Sequence, residues 1–157
     1  GNSFDPKALY YSEPNDPTYF KSTSKIYPAN SEGEITGILN LSTSVLVSFN
    51  TSWWKWTGAN PETDATWEQI PIPIGCESHD SIALTINGFT FLSRDGIYSI
   101  NAGILYQDIV TIKGEELVKK ITHGRLENTI KSMNNRGISK AIYYNNKYYL
   151  ACRRGRT

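Results

Sequence analysis

His79-Asp80-Ser81 carries the three residue types of a hydrolase relay: an imidazole base, an orienting carboxylate and a nucleophilic hydroxyl. Successive side chains on an extended segment point to opposite faces, so these three do not line up on one another there. Cys76 and His79 offer one thiolate and one imidazole donor at short spacing, but no second pair closes a tetrahedral zinc site. Glycine-rich phosphate loops of the Rossmann or Walker type are absent. The expectation is a non-enzymatic chain with no cofactor and no metal.

Two sets of residues could bind instead. Trp53, Trp54, Trp56 and Trp67, with the loop acids Glu62 and Asp64, have the chemistry of a glycan platform, since indole faces stack on sugars and carboxylates accept from hydroxyls. Such tryptophans more often serve as packing between sheets, and that is the favoured reading here. Lys140, Lys147, Arg153, Arg154 and Arg156 could meet a nucleic-acid backbone, where each neutralised phosphate releases counterions. A solvated cationic terminus has the same composition. A third possibility, protein–protein assembly, needs only exposed strand edges.

Composition bounds these choices. The 157 residues make one domain or a fragment of something larger, and 10 Tyr, 5 Phe and 4 Trp against a single Met favour strands. No apolar run approaches the roughly 20 residues of a membrane-spanning helix, so no membrane partner is expected. Cys76 and Cys152 read as buried thiols. The net charge of +1 hides a polarity: residues 1–79 hold 4 Lys/Arg against 9 Asp/Glu, and residues 80–157 hold 12 against 6. Acidic and basic ends suit head-to-tail contacts.

The elements that must position these residues are strands. Gly88–Gly103 reads as a β-hairpin reversing at Asp95-Gly96, with Gly96 at positive φ. Before it, Ile35–Leu41, Ser44–Asn50, Ser52–Thr57 and Thr66–Ile70 read as four strands, with Trp54 and Trp56 on one side. An offset of 44 residues lays Val45 on Phe89, Val47 on Phe91 and Trp54 on Tyr98. An offset of 58 lays Ala83 on Ala141 and Phe91 on Tyr149, which predicts Val47, Phe91 and Tyr149 at equivalent buried places.

The fourth strand of the second unit is expected at Ile104–Ile112. A helical insertion follows over 114–135, with Leu117/Ile121 and Leu126/Ile130 each four apart and Gly124 breaking it in two. The chain thus divides into units at 35–73, 81–112 and 139–157, preceded by an N-terminal strand and loop over 8–30. The predicted fold is all-β with a small helical insertion, in antiparallel four-stranded blades of a partial β-propeller.

Leu9–Thr18, Ile35–Phe49, Gly75–Ile82, Gly88–Tyr98 and Ala141–Leu150, in that order, resemble the motifs of bacteriophage virion β-propeller proteins of the tail-nozzle and packaged-DNA-stabilisation type. The resemblance implies a structural building block of a tail or head–tail connector in the virion. Its implied partners are other virion proteins, copies of itself and double-stranded DNA in the tail channel. Members of that family are usually much longer, which implies a fragment here.

Overall fold

Alternating apolar side chains decide the architecture. The computed structural model describes residues 4–28, 33–41, 44–61, 63–101 and 117–152. Its first four-stranded antiparallel sheet runs β3 (Gly37–Leu41), β4 (Ser44–Ser48), β5 (Trp53–Thr57) and β6 (Thr66–Ile70). The second runs β7 (Ala83–Thr85), β8 (Gly88–Ser93), β9 (Gly96–Asn101) and β10 (Val118–Lys120). Two hairpins flank them: β1 (Leu9–Tyr10) with β2 (Lys25–Ile26), and β11 (Lys140–Tyr144) with β12 (Lys147–Ala151).

The 44-residue repeat holds in register as well as in residue type. Leu39 faces Leu46 as Ala83 faces Thr90, and Val47 faces Trp54 as Phe91 faces Tyr98. Each strand therefore offers one side chain set to the sheet before it and the other set to the sheet after it. Val45, Val47 and Trp54 of the first sheet pack under Leu9 and Ile26 of the N-terminal hairpin. Leu41, Leu46, Trp53 and Ile70 pack from the other side onto Phe89, Phe91, Tyr98 and Ile100. Leu92 and Ile97, on the far face of the second sheet, meet Tyr148 and Leu150 of β12.

The fourth strand of the second sheet is not where the sequence predicted it. Ile104–Ile112 lies outside the described residues, and the edge of β9 is paired by β10, from text predicted as helix. A spacing of four is common to a helical stripe and to one face of a strand, so Leu117 and Ile121 do not separate the two periods. The open β9 edge and the core decide it: Val118 pairs with Ile100, and Leu117 is buried between the sheets. The second half of the insertion is helical, as α1 (Arg125–Lys131), preceded by Gly124 at φ 60. Its buried side is Ile130 followed by Met133, whereas Leu126 faces solvent, so the predicted Leu126/Ile130 stripe is corrected.

The third repeat is corrected by one residue. Thr85-Gly88 closes the β7–β8 hairpin and Tyr144-Lys147 closes β11–β12, so the residue numbers differ by 59, not 58. A one-residue slip moves every side chain to the other face. Leu150 and Tyr148 thus take the inward places, while Tyr149 stands 48% exposed where Phe91 is fully buried. Asn145 and Asn146, at φ 48 and 57, make the reversal.

The central hairpin also turns one residue early. Ser93 pairs with Gly96, leaving Arg94-Asp95 as the turn, and Gly96 does not have the predicted positive φ. Glycine is required there for space: a Cβ would run into Thr122 Oγ1 and approach Lys120 Cε. Thr122 Oγ1 is already fixed as acceptor of the Ile97 N–H at 3.0 Å.

Two stability measurements follow. Phe91→Ala should lower unfolding stability by about 3–5 kcal/mol, and Tyr149→Ala should stay within about 0.5 kcal/mol. Equal losses at the two sites in denaturant unfolding would restore the 58-residue alignment. Gly96→Ala should cost about 1–3 kcal/mol by overpacking. A loss in the double variant Gly96→Ala with Thr122→Gly that is smaller than the sum of the two single losses would identify crowding rather than backbone strain as the cause, the single Thr122→Gly loss accounting for the missing acceptor of the Ile97 N–H.

Candidate functional site

The segment from Gly75 to Ser81 joins the first sheet to the second, and its backbone and side chains bond to the first sheet, the second sheet and the β11–β12 hairpin. Ser48 Oγ of β4 accepts the Cys76 N–H at 2.8 Å. Ser81 Oγ donates to the Ser78 carbonyl at 2.7 Å and accepts the Leu92 N–H of β8 at 3.2 Å. Ser78 Oγ donates to the Ser139 carbonyl at 2.8 Å, and the Tyr148 hydroxyl of β12 donates to the Ser81 carbonyl at 2.7 Å. Burial raises the Tyr148 hydroxyl pKa and pushes the Cys76 thiol up to about 11. Such a thiol stays protonated near neutrality and is a poor nucleophile.

His79, Asp80 and Ser81 form a 3-10 turn, not an extended segment, and each side chain serves a different partner. His79 Nδ1 accepts the Ile38 N–H at 3.3 Å, Asp80 pairs with Lys140 at 3.1 Å, and Ser81 holds Leu92. His79 and Asp80 line a groove of about 530 Å3 with Ile38, Ile82, Leu84 and Lys140, at the convergence of β3, β7 and β11. Cys76 is a buried free thiol, whereas Cys152 is exposed, against the reading of both as buried.

The predicted glycan platform is not assembled as the sequence suggested. Trp53 is fully buried, its ring centroid 5.1 Å from those of both Phe89 and Phe91. Trp54 points the other way and packs under the N-terminal hairpin. Alternation along β5 forces this split. Trp56 stacks on Trp67 at 5.9 Å with 24° between planes, and borders a second groove of about 570 Å3. The Asp64 carboxylate is occupied by the Ala59 and Asn60 N–H groups at 3.1 and 2.5 Å, and Glu62 lies outside the described residues. Opposite Trp56 in that groove stand Tyr11, Glu13, Asn15 and Lys21, none of them read as site residues from the sequence. A pairing across so many residues leaves no periodic signal.

Of the predicted cationic set, Lys140 and Lys147 lie on one face of β11–β12, while Arg153, Arg154 and Arg156 lie outside the described residues. Between these lysines stand Ile142, Tyr144 and Tyr149, exposed by 63%, 69% and 48%. This is the face that, in each earlier sheet, packs onto the next one.

Charge ties the insertion to the second sheet. Lys120 Nζ reaches Asp95 at 2.8 Å and Glu127 at 3.0 Å, and Glu127 also pairs with Lys131 in the helix. Partial burial pushes the Asp95 pKa up, but hydrogen bonds from Lys120 and the Tyr98 hydroxyl outweigh it and hold it below the ordinary value. Hydrogen bonds from Lys131 and then Lys120 lower that of Glu127.

No protein-family model and no curated protein sequence matches this chain.

Carboxylates with depressed folded pKa values contribute stability above their unfolded pKa and lose it as pH falls through the folded one. Below about pH 4, where free carboxylates protonate, the melting temperature should therefore fall. In Lys120→Met the fall should be shallower, because both acids lose their shared partner. Identical pH slopes in the two proteins would remove this network from the stability of the fold.

Proposed function

We propose that this chain is a non-enzymatic structural protein of a bacteriophage virion, a run of propeller-type blades that works in a tail or head–tail connector through protein–protein assembly. The observation that carries this reading is the open face of β11–β12. The central strands of the two preceding sheets are covered on both faces by a neighbouring layer, with only Ile38 and Leu84 on their first strands exposed, by 39% and 58%, whereas the third sheet presents Ile142, Tyr144 and Tyr149 together to solvent. Its strand β12 corresponds to β4 and β8, which pair on both sides, and β12 pairs only with β11 among the described residues. An uncovered aromatic face beside an unpaired edge is an association surface. The order of the phage-like motifs and the 44-residue repeat support the same architecture. Lys140 and Lys147 at the two ends of this face suit an acidic partner surface or a DNA backbone in a tail channel.

Light scattering over a concentration series tests the assembly reading. The chain should associate reversibly, and Ile142→Lys with Tyr149→Lys should shift it to monomer while the near-ultraviolet circular dichroism is retained. A strictly monomeric wild type at about 1 mM, where even an association of about 4 kcal/mol would register, would overturn it.

A further inference from the structure

The groove beside Trp56 is separate from the assembly face and is built from both ends of the first 61 residues. One wall is Tyr11–Asn15 with Lys21, and the other is Trp56 with Ala59–Pro61. Each wall is held by its own short bonds. In the first, the Asp16 N–H donates to the Glu13 carbonyl at 3.1 Å and the Glu13 N–H to the Tyr19 carbonyl at 3.0 Å. The Asp16 carboxylate accepts both the N–H and the hydroxyl of Thr18, and Asn15 sits at φ 64. In the second, Asp64 holds the Ala59 and Asn60 N–H groups, and Trp67 fixes the plane of Trp56. A groove preorganised in this way loses little freedom when it is filled.

Its chemistry has two parts. Trp56, Tyr11, Pro14 and Pro61 supply flat apolar surface, and Glu13, Asn15 and Asn60 supply carboxylate and amide groups. Glu13 and Lys21 are paired at 2.7 Å, so between them they bring a donor and an acceptor without net charge. That lining disfavours phosphates and other strongly charged ligands. It matches a molecule with C–H faces for the rings and hydroxyls that both donate and accept. We propose that this groove binds a neutral saccharide, one sugar ring packed on Trp56 and its hydroxyls bonded to Glu13 and Asn15. Its volume of about 570 Å3 falls within the ordinary span of small-molecule sites.

The test is a titration with maltose, cellobiose, lactose and chitobiose, followed by tryptophan fluorescence and by amide and indole chemical shifts. At least one sugar should give saturable shifts at the Trp56 indole and the Asn60 amide. Trp56→Ala also removes the Trp67 stack, so Asn15→Gly is the deciding variant. It keeps a left-handed backbone while deleting the side-chain amide, and should weaken binding about tenfold, or about 1.4 kcal/mol. Absence of saturable shifts with every sugar up to about 20 mM, a range that captures affinities weaker than −4.1 kcal/mol, would overturn the proposal. So would unchanged affinity in Asn15→Gly, or a proline-rich peptide saturating the groove where the sugars do not.

Discussion

Hydrogen bonds from the six residues Cys76–Ser81 hold three separate sheets in one arrangement. Apolar faces are non-directional and would tolerate sliding, whereas a buried hydroxyl bonded at both ends is satisfied in one placement only. Ser48, Ser78 and Ser81 are all buried, so each lost partner would leave a desolvated group at about 1–3 kcal/mol. The backbone adds to the constraint: the Glu77 N–H donates to the Leu92 carbonyl at 2.9 Å. Gly75 lies so close to the backbone of Phe49 and Thr51 that no Cβ fits. One linker thereby sets the position of the first sheet against the second, and of the third against both.

Given that constraint, the apolar groups fill the layers according to a rule with period two. Trp53 goes forward to Phe89 and Phe91, and Trp54 goes back to the N-terminal hairpin, although the two are adjacent in sequence. The indole N–H groups of Trp53, Trp54 and Trp56 are buried without an acceptor among the described residues. Trp53 and Trp54 therefore stabilise the fold through ring area and shape, not through their polar edge. Trp56 shares that arrangement, but also leaves part of its ring along a groove.

The same rule explains what could be read from the sequence. The repeat at 44 was legible because alternation and turn spacing agree, laying Val45 and Val47 on Phe89 and Phe91, whereas a shift by one in either direction lays one of the two valines on Thr90. β10 was not legible, because Leu117 and Ile121 satisfy both periods and the deciding partner, the edge of β9, is distant in sequence. The third unit was misplaced by one because Tyr148-Tyr149-Leu150 is apolar throughout, so residue type could not choose a face. Gly96 was correctly singled out for the wrong reason, since crowding by Thr122 appears only after β10 is in place. The motif residues Gly75, Cys76, Ser78 and Ser81 stood out as a pattern, and their hydrogen bonds supply its cause. Of the Tyr11–Trp56 groove only Trp56 was legible, as a candidate glycan contact; its other wall gave no signal, because two loops meet there without any shared period.

A stacking rule of this kind does not terminate itself. Each sheet is completed by a layer on both sides, and the N-terminal hairpin is what completes the first one, through Leu9 and Ile26. That hairpin is short, so the coverage comes from placement more than from size: the Asp5 carboxylate accepts from Lys25 at 3.0 Å and from Tyr27 at 2.7 Å and fixes it. At the other end the same alternation produces Ile142, Tyr144 and Tyr149 with no layer to receive them among the described residues. A protein whose faces differ in this way has a direction, because a second layer is favoured at one end and already present at the other. Directional, heterologous contacts of that type generate rings or filaments instead of symmetric pairs. The proposed assembly role rests on this asymmetry between a first sheet covered by the hairpin and a third sheet left open among the described residues.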